Sequence, residues 1–131
     1  MSRGANITSK APASDDLLVR KRVEDMLQYA YTAVRQFPKA ERHVLSAEIR
    51  ATCWRLLRLV IVCNKRYYKK TTLQDLDAEL ELLRAQVRLA FELRYLPPRK
   101  HEHWSRLNDE IGRLIGGWIK SLRARRAGVA G

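Results

Sequence analysis

No run of apolar residues in this chain is long enough to cross a bilayer. The longest, residues 56–63, is interrupted by Arg58, whereas a spanning helix needs roughly 20 apolar residues. The N-terminus carries no apolar segment of the secretory type, so a cytoplasmic protein is expected, neither secreted nor membrane-bound. Cysteine is scarce as well: only Cys53 and Cys63 occur. On one helix their Cα atoms stand about 15 Å apart, which is too far to bridge. Without a Cys-x-x-Cys or further sulfur ligands, they read as reduced packing residues and not as a redox or zinc site.

The motifs of catalysis are missing too. A helical bundle that holds two iron or manganese ions needs inward glutamates and paired Glu-x-x-His motifs, and the chain has no Glu-x-x-His. His101 and His103 are two apart, hence on different faces of a helix, and His43 lies elsewhere in sequence. No Gly-x-Ser-x-Gly, Walker loop or dinucleotide fingerprint occurs. Neither a metal nor a cofactor is expected, and the enzyme reading reduces to an arginine-lined bundle pocket holding a small dianion.

The most telling absence is of acid. Residues 50–70 hold Arg50, Arg55, Arg58, Lys65, Arg66, Lys69 and Lys70 and neither Asp nor Glu. A solvated helix ordinarily balances its cations with acids three or four residues away. Uncompensated charge on a rigid rod calls for an anionic partner, nucleic acid foremost. The whole chain leans the same way, with 26 Lys and Arg against 14 Asp and Glu, a formal net charge of +12.

At 131 residues the chain makes one domain. Residues 1–14, rich in Ser, Ala and Gly, read as a flexible arm, residues 15–123 as an all-α, antiparallel up-down four-helix bundle, and residues 124–131 as a basic flexible tail. The first helix, capped by Ser14 or Asp15, buries Val23, Met26, Leu27, Ala30, Val34 and Phe37. Its Arg20, Lys21 and Arg22 have acids one turn away and form a balanced face. Phe37-Pro38 ends it. A second helix over about residues 39–68 gathers Leu45, Ile49, Cys53, Leu56, Leu57, Val60, Ile61 and Tyr67 on one side. Most of its cations take the other side, with Leu59 and Val62 among them, as a subunit contact or as ordinary scatter. Tyr67 and Tyr68 fall towards the buried side, leaving no aromatic platform among the cations.

Thr71-x-x-Gln74 or Thr72-x-x-Asp75 offers a cap for a third helix, whose Leu73, Leu76, Leu80, Leu83, Val87 and Ala90 alternate steps of three and four. Arg84, Arg88 and Arg94 on it are further candidates for binding, although Glu81 and Glu92 stand near the first two. Leu96-Pro97-Pro98 opens a fourth helix over about residues 99–123, with Trp104, Leu107, Ile111, Leu114, Ile115, Trp118 and Ile119 inward. Arg99, Arg106, Arg113 and Lys120 repeat every seven residues, and Glu102, Asp109 and Glu110 are placed to neutralise most of that row. Lys120, Arg123 and the tail cations then stand free. Gly112, Gly116 and Gly117 cost this helix about 1 kcal/mol each relative to alanine. Close approach of another backbone, in the bundle or from a second subunit, would offset that.

The block Leu107-Asn108-Asp109-Glu110-Ile111-Gly112-Arg113-Leu114-Ile115-Gly116-Gly117-Trp118-Ile119-Lys120 resembles the terminal helix signature of the accessory variability determinant proteins of diversity-generating retroelements. Phe37-Pro38-Lys39-Ala40-Glu41-Arg42 resembles the turn between that family's first two helices. Asn108 stands where the family is expected to carry Gln or a similar residue, and the basic tail is outside the signature. The resemblance implies a four-helix bundle related to proteins encoded in ribosomal RNA intervening sequences and assembled as a homopentamer with a positive surface. It also implies a non-catalytic role beside the element's reverse transcriptase and template RNA, in mutagenic copying into a variable gene. Residues alone leave a competitor open: a scaffold whose basic face docks an acidic protein surface.

Overall fold

The computed structural model describes residues 14–130, with side chains described for residues 17–125. The proposed arm falls outside the described residues apart from Ser14, which begins the first helix. Four helices follow in order: α1 Ser14–Val34, α2 Leu45–Lys65, α3 Lys70–Glu92 and α4 Pro98–Ala130. Each packs against its neighbours around a square, α4 closing on α1, and among the described residues the backbones of diagonal helices do not approach each other closely. Short connections force every neighbour to run antiparallel, which is the expected up-down bundle. The α1–α2 and α3–α4 connections share one end, and the α2–α3 turn lies at the other.

The core is apolar and continuous. Every member of the α3 stripe is buried, Leu73, Leu76, Leu80, Leu83, Val87 and Ala90, and it shares one core with Val23 and Met26 of α1, Ile49, Cys53, Leu56 and Val60 of α2, and Trp104, Ile111, Ile115 and Trp118 of α4. On α4 the inward line runs through Trp104, Asn108, Ile111, Ile115 and Trp118, while Leu107, Leu114 and Ile119 are half-buried flanks. Asn108, only 1% exposed, therefore occupies a core position of the four-three repeat. Cys53 and Cys63 are both buried. Burial pushes the Cys53 thiol up to about 12, in keeping with a packing residue.

Helix ends differ from expectation in four places. The second helix does not run unbroken from residue 39: a 3-10 turn, Lys39–Glu41, comes first and α2 starts at Leu45. Val44 has φ −118° and ψ −99°, outside helical space, and Glu41 Oε1 instead takes the Leu45 N–H at 3.2 Å. The other oxygen of that carboxylate accepts the Tyr95 hydroxyl at 2.9 Å, so α2 is capped by a residue held from the α3–α4 connection. This bond, together with burial, raises the Tyr95 hydroxyl above its ordinary pKa.

At its other end α2 stops at Lys65, because Arg66 is extended at φ −93° and ψ 147°. Lys69 Nζ donates to the carbonyls of Cys63 at 2.6 Å and Arg66 at 2.8 Å, closing the turn with a cation where the helix dipole is negative. Neither threonine caps α3; its N-cap is Lys69, and Thr72 is buried instead. The third helix ends with Arg94 at φ 67°, its N–H on the Phe91 carbonyl and the Tyr95 N–H on the Ala90 carbonyl. That is a Schellman motif with arginine where glycine is favoured. The fourth helix continues past Arg123 to Ala130, so its helical hydrogen bonding extends into the segment read as a tail.

Candidate nucleic-acid interface

The seven cations of residues 50–70 do not behave alike. Arg58, Lys65, Arg66 and Lys70 are exposed, and no ion pair or hydrogen bond of their side chains is found among the described residues. Arg58 and Lys65 lie two turns apart on the outer face of α2, while Arg66 and Lys70 flank the α2–α3 turn. Arg55 departs from the expectation. Its Nε is 2.7 Å from Glu79 Oε2 on α3 and its Nη2 donates to Thr52 Oγ1, so the neighbouring helix supplies the counterion that α2 lacks. Lys69 is spent on backbone carbonyls. Arg50 faces the opposite end, where Nη2 donates to the Arg42 carbonyl at 3.3 Å and the guanidinium sits 6.0 Å from the centre of the Tyr31 ring.

The tyrosines of the turn are also placed otherwise than expected. With α2 ending at Lys65, Tyr67 and Tyr68 leave its periodicity and stand 81% and 77% exposed. Leu59 packs against the core edge and Val62 is half-buried, so neither protrudes among the cations.

On α3, Arg84 is bound on three sides, by Glu81 at 3.5 Å, Asp109 at 3.3 Å and the Asn108 carbonyl at 3.4 Å. Arg88 is exposed and forms no ion pair with Glu92, and Arg94 is exposed at its left-handed position. The two charges of the α4 row that were to be neutralised locally are not. Asp109 turns to Arg84, and Glu110 turns to Arg22 of α1 at 2.6 Å. Glu102 alone serves the row, 3.8 Å from Arg106. Arg99 and Arg113 are left without a carboxylate among the described residues, as are Lys120 and Arg123. The Arg84–Asn108 and Leu80–Gly112 contacts fix the antiparallel register of α3 on α4. In that register Lys120 stands level with Thr72, and Arg123 level with Lys69, so these two extend the basic end of the bundle.

A second basic corner, between α1 and α2, was not singled out from the sequence. A surface cavity of about 420 Å³ there is lined by Arg35, Lys39, Arg42 and Arg50 with Tyr31 and Ser46, and by no carboxylate. Glu41 is close in sequence, but its oxygens are held by the Leu45 N–H and Tyr95. The clustering of Arg35, Lys39 and Arg42 around Phe37-Pro38 was the available signal.

No backbone among the described residues crowds Gly112, Gly116 or Gly117 of α4. A Cβ on Gly112 would meet Arg84 Nη2 at 2.6 Å, whereas at Gly116 and Gly117 it would meet nothing within 4 Å. Among the described residues no arginine is buried, and no cluster of His, Cys, Asp and Glu is suited to a metal ion. Instead His101 stacks on Phe91 at 4.1 Å and His103 meets the Tyr29 ring edgewise at 4.6 Å. No described helix is long and apolar enough to cross a membrane.

Fold and charge together define a class: small four-helix bundles with uncompensated cations at both ends. The bAvd-like family model matches residues 17–122, which span all four helices, and the chain belongs to that family. A search of curated proteins finds none that matches it.

Proposed function

We propose that this chain is a non-catalytic accessory protein of a diversity-generating retroelement. In this reading it holds nucleic acid by its phosphates and works with the reverse transcriptase on the template RNA in the cytoplasm. Membership of the bAvd-like family supports the retroelement context. The observation that carries nucleic-acid binding is the set Arg58, Lys65, Arg66 and Lys70, exposed and without side-chain partners among the described residues. Arginines there fork onto two phosphate oxygens and lysines act as mobile point charges, which gives affinity without sequence reading.

Self-association, a homopentamer by family resemblance, has support on α3. Leu82, Leu89 and Leu93 are exposed on one face at spacings of seven and four, with Ala78 and Ala85 between and beside them.

Charge reversal tests the binding. Arg58→Glu, Lys65→Glu, Arg66→Glu and Lys70→Glu together should abolish retention of RNA and DNA in gel-shift experiments while far-UV circular dichroism stays helical. Full retention would remove this surface from the interface. Arg55 is left out, because a glutamate there would face Glu79. The exposed Trp54, one turn from Arg58, favours a protein-docking role as the second reading. Co-purification after nuclease treatment separates the two: loss of the polymerase makes nucleic acid the bridge, and its persistence makes the contact direct.

A further inference from the structure

Tyr67 and Tyr68 have no role in holding the bundle together. They sit side by side in the α2–α3 turn, rings 4.8 Å apart at 87°, and both are among the most exposed large residues of the described chain. In this edge-to-face pair one ring face is covered by the edge of its neighbour, and the remaining faces look into solvent. The turn that carries them is fixed and not slack: Lys69 Nζ clamps the Cys63 and Arg66 carbonyls across it. Lys65 and Arg66 precede the pair, Lys70 follows it, and all three lack a side-chain partner.

We propose that this turn is a stacking site for unpaired nucleobases, so that the protein prefers single-stranded nucleic acid to duplex. The proposal rests on the nucleic-acid reading above and adds the class of strand. Open π-faces next to three free cations match a chain that alternates flat bases with phosphates. A duplex cannot use them, because its base faces are already stacked on one another. A second copy of this turn is a poor occupant, since it would bring Lys65, Arg66, Lys69 and Lys70 against their like. Lys120 and Arg123, level with Thr72 and Lys69, continue the phosphate track away from the rings.

The test compares fluorescence anisotropy of a uridine oligonucleotide of about 12 residues with that of a duplex of equal length. With Tyr67→Ser and Tyr68→Ser together, single-strand affinity should fall about tenfold or more, and duplex affinity by less than about twofold. Tyr67→Phe with Tyr68→Phe keeps the rings and should bind like the natural protein. A 5-bromouridine strand should photocrosslink to Tyr67 or Tyr68. Undiminished single-strand binding by the serine variant, with charge reversal still abolishing both, would overturn stacking and leave phosphate binding standing. Failure of the natural protein to bind either probe would remove both.

Discussion

The Arg84 guanidinium occupies the space that a side chain on Gly112 would need: Nη2 lies 2.6 Å from where its Cβ would be built. Glycine there makes room for an arginine that ties α3 to Asp109 and the Asn108 carbonyl. Gly116 and Gly117 have no such neighbour. Alanine at either of these two should therefore raise protomer stability by about 1 kcal/mol in chemical denaturation, from helix propensity alone. If a second subunit packs on these glycines, light scattering will show the assembly weakened at the same time. Gly112→Ala should gain less than the other two, because it must first push the Arg84 guanidinium aside.

Arg55 and Arg58 are one turn apart on α2 and make opposite predictions. Glu79, only 18% exposed, depends on Arg55, so Arg55→Ala should cost about 1 kcal/mol in urea denaturation. Arg58 has no partner to lose, and Arg58→Ala should stay within about 0.5 kcal/mol while weakening nucleic-acid binding.

What was legible in the sequence follows from how local each determinant is. The α3 stripe from Leu73 to Ala90 is buried as its three-four spacing requires, since each step depends only on helix geometry. Arg20 and Lys21 find Glu24 and Asp25 one turn on, as expected. The misreadings come where a group outside the helix concerned intervenes. Glu41 caps α2 while bound to Tyr95, a residue from the α3–α4 connection. Lys69 folds back to end α2 early, which carries Tyr67 and Tyr68 from the expected inner side into solvent. Asp109 and Glu110 pair across helices and not along their own, freeing Arg113. Half-buried interhelical grooves strengthen such pairs relative to those on an open helix surface.

Arg94 holds a left-handed conformation, φ 67°, that costs a non-glycine residue about 1–2 kcal/mol. Arg94→Gly removes that strain but gives back part of it through a more flexible unfolded chain. A net gain of about 0.5–1 kcal/mol is expected from thermal denaturation. A loss would show that the Arg94 side chain contributes to the fold.

Cys53 gives the bundle an alkaline limit. Its thiol is pushed up to about 12 in the fold, above the ordinary value of an unfolded cysteine. Above roughly pH 9 the unfolded chain releases this proton while the folded chain keeps it, so the unfolded state gains and stability falls as pH rises towards 12. Tyr29 and Tyr95 are raised as well and act in the same direction. Urea midpoints measured between about pH 8 and 11 should decline, and Cys53→Ala should flatten part of that decline.

The most direct measurement of phosphate binding is the dependence of affinity on salt. Each phosphate neutralised on duplex DNA contributes about −0.9 to the slope of log K against log salt concentration. A steep slope for the natural protein is expected, and replacing Lys65 and Lys70 by glutamine should make it shallower by about two. An affinity indifferent to salt, or a slope that the two substitutions leave unchanged, would contradict the assignment of this basic corner to nucleic acid.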